Sequence, residues 1–201
     1  MKNFIEKYEK IRSSINTGDL ILFSGWGPVA FGIKLVTQSK WSHVGMAFKM
    51  PEYDFTCVWE STSLSNIPDL KSGMFVNGVQ MSPLRDRIRE YNGEVAIRHL
   101  SDFTLGIEEL SALKSFRHLV RGRPYERDMA ELFSSALPLT NEEDISSLFC
   151  SELIAETYQV LGLLDESKPS NEYTPADFSQ DASLPLSVGV LGEEIMIAVR
   201  D

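Results

Sequence analysis

Two short apolar runs, Val44 to Lys49 and Phe55 to Ser61, flank Pro51-Glu52-Tyr53-Asp54 and constrain the fold more than any other stretch of this chain. Such runs on either side of a turn cluster predict a β-hairpin. The loop length decides which side chains share a face. A two-residue turn at Pro51-Glu52 sets His43 directly opposite Glu60, but type I′ and II′ turns need a positive φ early, which proline cannot adopt. A four-residue loop, Pro51 to Asp54, pairs His43 with Thr62. Glu60 is then the diagonal neighbour on the same face, about 7–8 Å away at the backbone and within reach of a glutamate side chain. A three-residue loop puts the two on opposite faces. Two of these three registers let Glu60 hold the His43 ring and fix its tautomer. The face carrying His43 continues with Gly45 and Ala47, small residues expected to let a helix approach closely. Cys57 alternates onto the face of Trp59, opposite Glu60, and reads as a small buried hydrophobe.

The remaining elements surround this hairpin. Residues 1–16 read as a short amphipathic N-terminal helix, followed by a turn at Thr17-Gly18-Asp19 and an apolar strand, Leu20 to Phe23. Ser24-Gly25-Trp26-Gly27-Pro28 breaks that strand, and Pro28 can open a helix running to about Gln38. Gly78 to Ser82 and Gly93 to Leu100 read as strands, 106–120 and 148–162 as helices, and Glu194 to Val199 as a late strand. No linker or repeat divides the chain, so 1–201 is expected to be one domain. Strands first and the key helix late predict an α+β fold with a largely antiparallel sheet.

Cys150 heads the apolar stripe Leu153, Ile154, Leu161 and Leu164 of the late helix. If that helix starts near Ser147, with Ser146 or Ser147 as cap, Cys150 lies in its first turn. The helix dipole then favours thiolate and the Cys150 N–H can serve an oxyanion. Thr140-Asn141-Glu142-Glu143 is a competing capping box, which leaves Cys150 in mid-helix without that benefit. A thiol becomes a nucleophile when a base takes its proton and a third group orients the base, and Cys150, His43 and Glu60 are the residue types required. Each also has a structural reading: a histidine at a strand start, a cysteine on a core stripe.

Charge and composition narrow the functional classes. The chain carries a net charge of −10, which argues against a nucleic-acid partner. Two cysteines do not make a disulfide framework. His99 and His118 lack His or Cys partners at ligand spacing, so no metal is expected, and the glycines form no phosphate loop or dinucleotide fingerprint; no cofactor is expected. Arg85-Asp86-Arg87-Ile88-Arg89-Glu90 mixes both signs and reads as a solvated face. The N-terminus is unlike a signal peptide and no stretch is long and apolar enough to span a membrane, so a cytoplasmic location is expected.

Thr17-Gly18-Asp19-Leu20-Ile21, Ser42-His43-Val44-Gly45, Trp59-Glu60-Ser61 and Phe149-Cys150-Ser151-Glu152-Leu153-Ile154, in this order and spacing, resemble the circularly permuted NlpC/P60 papain-like superfamily, in the branch of the YiiX-type permuted amidases and their poxvirus relatives. Gly122-Arg123-Pro124-Tyr125 and Tyr173-Thr174-Pro175-Ala176-Asp177 resemble segments before and after the cysteine helix. The resemblance spans roughly residues 17 to 180. It implies a small antiparallel barrel-like sheet packed on the nucleophile helix, with Cys150 as nucleophile, His43 as general base and Glu60 as orienting residue. It further implies hydrolysis or transfer at an amide, ester or thioester carbonyl through an acyl-enzyme, without cofactor, and a small-molecule or peptide amide is the expected substrate. Tyr125, Ser42 and Trp26 are candidates for the substrate or oxyanion pocket, Trp26 either as an apolar lip or as core. The context around Cys150 departs from the Asn-Cys-Glu-His of lecithin:retinol acyltransferases, which disfavours a lipid acyltransferase; a lipid acyltransferase or thioesterase stays as one alternative. The same fold used as a non-catalytic binding module is the other alternative.

Overall fold

The computed structural model describes residues 2–121, 123 and 143–198. Six strands form one antiparallel sheet: β1 (Leu20–Gly25), β2 (His43–Met50), β3 (Phe55–Thr62), β4 (Gly78–Pro83), β5 (Gly93–Arg98) and β8 (Ile195–Ala198). Their order across the sheet is β4-β3-β2-β1-β5-β8. Two short strands, β6 (Leu100–Ser101) and β7 (Val190–Leu191), form a separate ladder. The sheet is open: among the described residues its edge strands β4 and β8 do not pair with each other, so the expected barrel-like closure is absent.

Helices cover both faces. On one side lie α4 (Ile107–Val120) and α5 (Glu143–Val160). Leu113 and Phe116 of α4 and Leu153, Ile154 and Tyr158 of α5 share a core with Leu20, Leu22, Val44, Met46 and Trp59. On the other lie α1 (Lys2–Ile11) and α3 (Leu84–Glu90). Tyr8, Leu84 and Ile88 share a second core there with Ile21, Phe23, Ala47, Val58, Val95 and Ile97. This double burial explains the unbroken apolar run Leu20-Ile21-Leu22-Phe23, since a strand covered on both faces has no polar side to alternate with. Each such side chain contributes about 1.5–3 kcal/mol on full burial.

The hairpin has the longer loop. Met46 pairs with Trp59 and Met50 with Phe55, leaving Pro51 to Asp54 as a four-residue connection. Pro51–Tyr53 form a 3-10 turn, and Asp54 closes it at φ 45°. Carried on, this register sets Glu60 opposite Gly45 and diagonal to His43. The N-terminal helix ends at Ile11, short of residue 16, and α2 (Pro28–Thr37) follows β1, stopping at Gln38 with φ 51°. The segment read as a solvated charge run is instead α3: Leu84, Arg87 and Ile88, at i, i+3 and i+4, form its buried stripe.

Two expectations about the cysteine helix are corrected. Helix α5 opens at Glu143, so Cys150 is an interior residue without the dipole of a first turn, and its N–H is engaged in the helix ladder rather than free for an oxyanion. Nor does this helix approach the face of Gly45 and Ala47. It packs on the Val44, Met46 and Trp59 face, while the space left by Gly45 is taken by Val58 and Glu60.

Candidate active site

His43 and Glu60 meet as the hairpin register requires. The Nε2 of His43 lies 2.7 Å from Glu60 Oε2, and both side chains are buried. His43 is the first residue of β2, so it stands at the end of the sheet, where its ring also hydrogen-bonds to Cys150. With Nε2 on the carboxylate, Nδ1 is the ring nitrogen left for the sulfur. The Phe23 ring packs 5.2 Å from the imidazole. Cys150 itself is 0% exposed.

Arg87 is the member that sequence reasoning missed. Its Nε donates to Glu60 Oε1 over 2.6 Å, and its Nη1 donates to Asn66 Oδ1 over 2.8 Å. The guanidinium is wholly buried with the carboxylate it faces. The two oxygens of Glu60 are thus divided between an arginine and the histidine. The signal was in the sequence: Arg87 falls on the helical stripe of Leu84 and Ile88, a position that charge composition alone conceals.

The electrostatics follow from these contacts. Burial by itself lowers the His43 pKa; the charge and hydrogen bond of Cys150, then the hydrogen bond and charge of Glu60, outweigh it and raise the ring to about 9. Burial alone would raise Glu60, but the Arg87 charge and the His43 contact hold its carboxyl below the ordinary value. Burial pushes the Cys57 thiol up to about 11.

A cleft of about 380 Å³ opens beside His43, lined by Gly25, Trp26, Ser42, Asn66 and Tyr91 among others. Ser42 Oγ accepts from the Gly25 N–H over 3.0 Å and donates to Phe23 O over 3.3 Å, tying the strand entry to the turn after β1. Trp26 is 47% exposed and lines the cleft instead of packing in the core. Tyr91, just past α3, was not foreseen. Its hydroxyl bonds to Ser42, and burial holds it above the ordinary phenol value. Tyr125 lies outside the described residues. His99 sits away from this cluster, its Nδ1 2.6 Å from the buried carboxylate of Asp19, which also accepts from the Asn16 and Leu100 N–H groups. That arrangement anchors the turn before β1. Among the described residues no group of three His, Cys, Asp or Glu side chains is placed to hold a metal ion, and no helix is long and apolar enough to cross a membrane.

No family model matches the chain, and no curated protein does. Among solved structures it is similar to the metalloprotein YiiX of Escherichia coli O157:H7, a DUF1105 protein. The two are 21% identical over 92% of this chain and 98% of that one, with a TM-score of 0.50. At that identity the likeness is one of fold: the chain has a YiiX-type fold.

Proposed function

We propose that the protein is a cysteine hydrolase cleaving an amide or peptide-type bond. Cys150 is the nucleophile, His43 the proton carrier and Glu60 the residue that orients it. The observation that carries this reading is the His43 ring bonded to both Cys150 and Glu60, with its pKa raised to about 9. The ring accepts the thiol proton as the sulfur becomes the nucleophile. The sulfur attacks the carbonyl carbon, His43 gives its proton to the leaving amine, and a thioester remains. Water, deprotonated by His43, hydrolyses it and releases the acid. Arg87 keeps Glu60 anionic and fixed. Such an enzyme is expected to fit the permuted NlpC/P60 papain-like group.

The similar protein YiiX is called a metalloprotein, but the described residues here do not fit a metal at this site. Both oxygens of Glu60 are engaged, and the Arg87 guanidinium against them repels a cation. No step is assigned to one.

One observation favours a second reading, a non-catalytic binding module: the Cys150 sulfur is wholly covered. Iodoacetamide alkylation followed by mass spectrometry, from about pH 5 to about pH 10, separates the two readings, with Cys57 as internal control. The hydrolase reading expects Cys150 to react faster than Cys57 at neutral pH and to lose that advantage in His43→Ala. Equal or absent reactivity in the folded protein refutes it and supports the binding module.

A further inference from the structure

A second cavity, of about 320 Å³, lies on the opposite face of the sheet from Glu60. Trp59, Met50 and Met81 form its apolar wall, and Lys71, Arg117 and Arg121 bring cations to it. It shares no lining residue with the cleft beside His43. We propose that this cavity binds the oxyanion group, carboxylate or phosphate, of a small molecule with an apolar body.

Two buried arginines of this protein are bonded to oxygen acceptors. Arg87 has the Glu60 carboxylate and Asn66. Arg98 donates to three backbone carbonyls, those of Gly192, Phe178 and Leu191. Arg117 is half-buried, yet its only hydrogen bond among the described residues is to the Met81 sulfur, over 3.5 Å. A guanidinium has five N–H donors in a planar fork, so most of this fork has no hydrogen-bond partner among the described residues, and the residue lines the cavity. Its plane is held by aromatic rings, with Cζ 4.5 Å from the Phe48 centroid and 6.0 Å from that of Trp59. Stacking of this kind pre-orients an arginine for bidentate recognition of a planar anion.

The neighbouring charges agree. Arg121 follows Arg117 by one helical turn, and neither it nor Lys71 has a carboxylate partner among the described residues. Asp69 is the one acid on the cavity wall, and its oxygens are spent. Oδ1 accepts from the N–H groups of Lys71 and Ser72 and from the Ser72 hydroxyl, and Oδ2 from the Met81 N–H. Burial also lowers the Arg117 pKa, as expected of a cation that has lost water without gaining a full counter-charge. Arg121 caps α4 and Arg117 lies in its last turn, so the helix dipole favours both cations; the dipole supplies no partner for the Arg117 N–H groups. The cavity volume falls within the range of small-molecule sites. The overall negative charge of the chain repels anions at a distance, so capture depends on these three side chains.

The test uses the full chain, labelled for NMR, titrated with sodium benzoate and with inorganic phosphate against sodium chloride at matched ionic strength. The Arg117 Nε–Hε and Trp59 indole signals are the readout. Saturable shifts with benzoate or phosphate, absent with chloride, are expected. Benzoate alone marks a carboxylate site, phosphate alone a phosphate site. Arg117→Gln is expected to weaken binding at least tenfold. The double variant Lys71→Ala/Arg121→Ala changes exposed side chains and leaves the core intact; it is expected to weaken binding several-fold. Shifts that grow linearly and match chloride overturn the proposal, as does an affinity unchanged in the double variant. Neither result bears on Cys150.

Discussion

Replacing Arg87 with methionine removes one side of a wholly buried ion pair while nearly conserving volume. Glu60 is left with His43 alone, and Oε1 loses a donor at 2.6 Å; Asn66 Oδ1 loses its donor at 2.8 Å. Breaking a buried pair from one side costs about 3–5 kcal/mol, chiefly the penalty of the orphaned charge. For a domain of this size each kcal/mol moves Tm by about 2–4 °C, so Arg87→Met should lower Tm by roughly 6–20 °C. Calorimetry and urea unfolding measure it. The double variant Glu60→Gln/Arg87→Met removes both charges and should be less destabilised than Arg87→Met alone, with a coupling of about 1 kcal/mol or more. An Arg87→Met cost within about 0.5 kcal/mol of wild type, the range of a surface change, or strict additivity in the double variant, would refute the view that Arg87 and Glu60 act as a buried unit.

Other predictions follow from the same contacts. NMR titration of the His43 ring should give a pKa near 9 that falls in both Glu60→Gln and Cys150→Ala; a ring unaffected by either change contradicts the pairing. Because the folded value is raised above about 6.5, this contribution to stability is full below that pH and is lost as pH rises through about 9, which unfolding measured across that window will show. Glu60 acts in the opposite sense: its lowered pKa contributes stability above the ordinary value near 4.5, lost as pH falls through the folded value. In Gly45→Ala the new Cβ would lie 2.7 Å from Val58 Cγ2 and 3.4 Å from Glu60 Cβ. It should cost about 1–3 kcal/mol and disturb the His43 signal; an unchanged imidazole spectrum would show that Glu60 tolerates the crowding. Trp41→Phe removes the indole N–H that donates to Glu194 Oε1 over 2.7 Å. A charge-assisted bond of this kind is worth about 1.5–3 kcal/mol, to be read from urea midpoints.

The hairpin was legible because its arithmetic is rigid: strand side chains alternate with period two, and a loop of known length fixes every facing pair. That is why His43 and Glu60, and the separation of Cys57 and Trp59 from Glu60, could be read from residue numbers. Arg87 escaped because a run of mixed charges was weighed as composition, while its spacing from Leu84 and Ile88 carried the information. The start of α5 had two competing cap signals, and local sequence could not rank them. Which face of the hairpin would take the cysteine helix was not legible either. Both faces are covered, so apolar residues appear on each, and small residues at Gly45 and Ala47 made room for neighbouring side chains instead of a helix. Trp26 shows the same limit, since only tertiary context decides whether an apolar turn residue is core or rim.

The order of elements along the chain has a consequence in time. His43, Glu60 and Arg87 all precede residue 91, on strands and a helix that can pair among themselves as the chain emerges. Cys150 arrives later, on a helix whose Leu153, Ile154 and Tyr158 must find the far face of that sheet before sulfur and imidazole touch. During synthesis the histidine, its carboxylate and its arginine therefore wait without a thiol. A chain interrupted before α5 carries three of the four buried partners and no sulfur for them to act on. Contact between Cys150 and His43 is therefore made only once α5 has docked on the sheet.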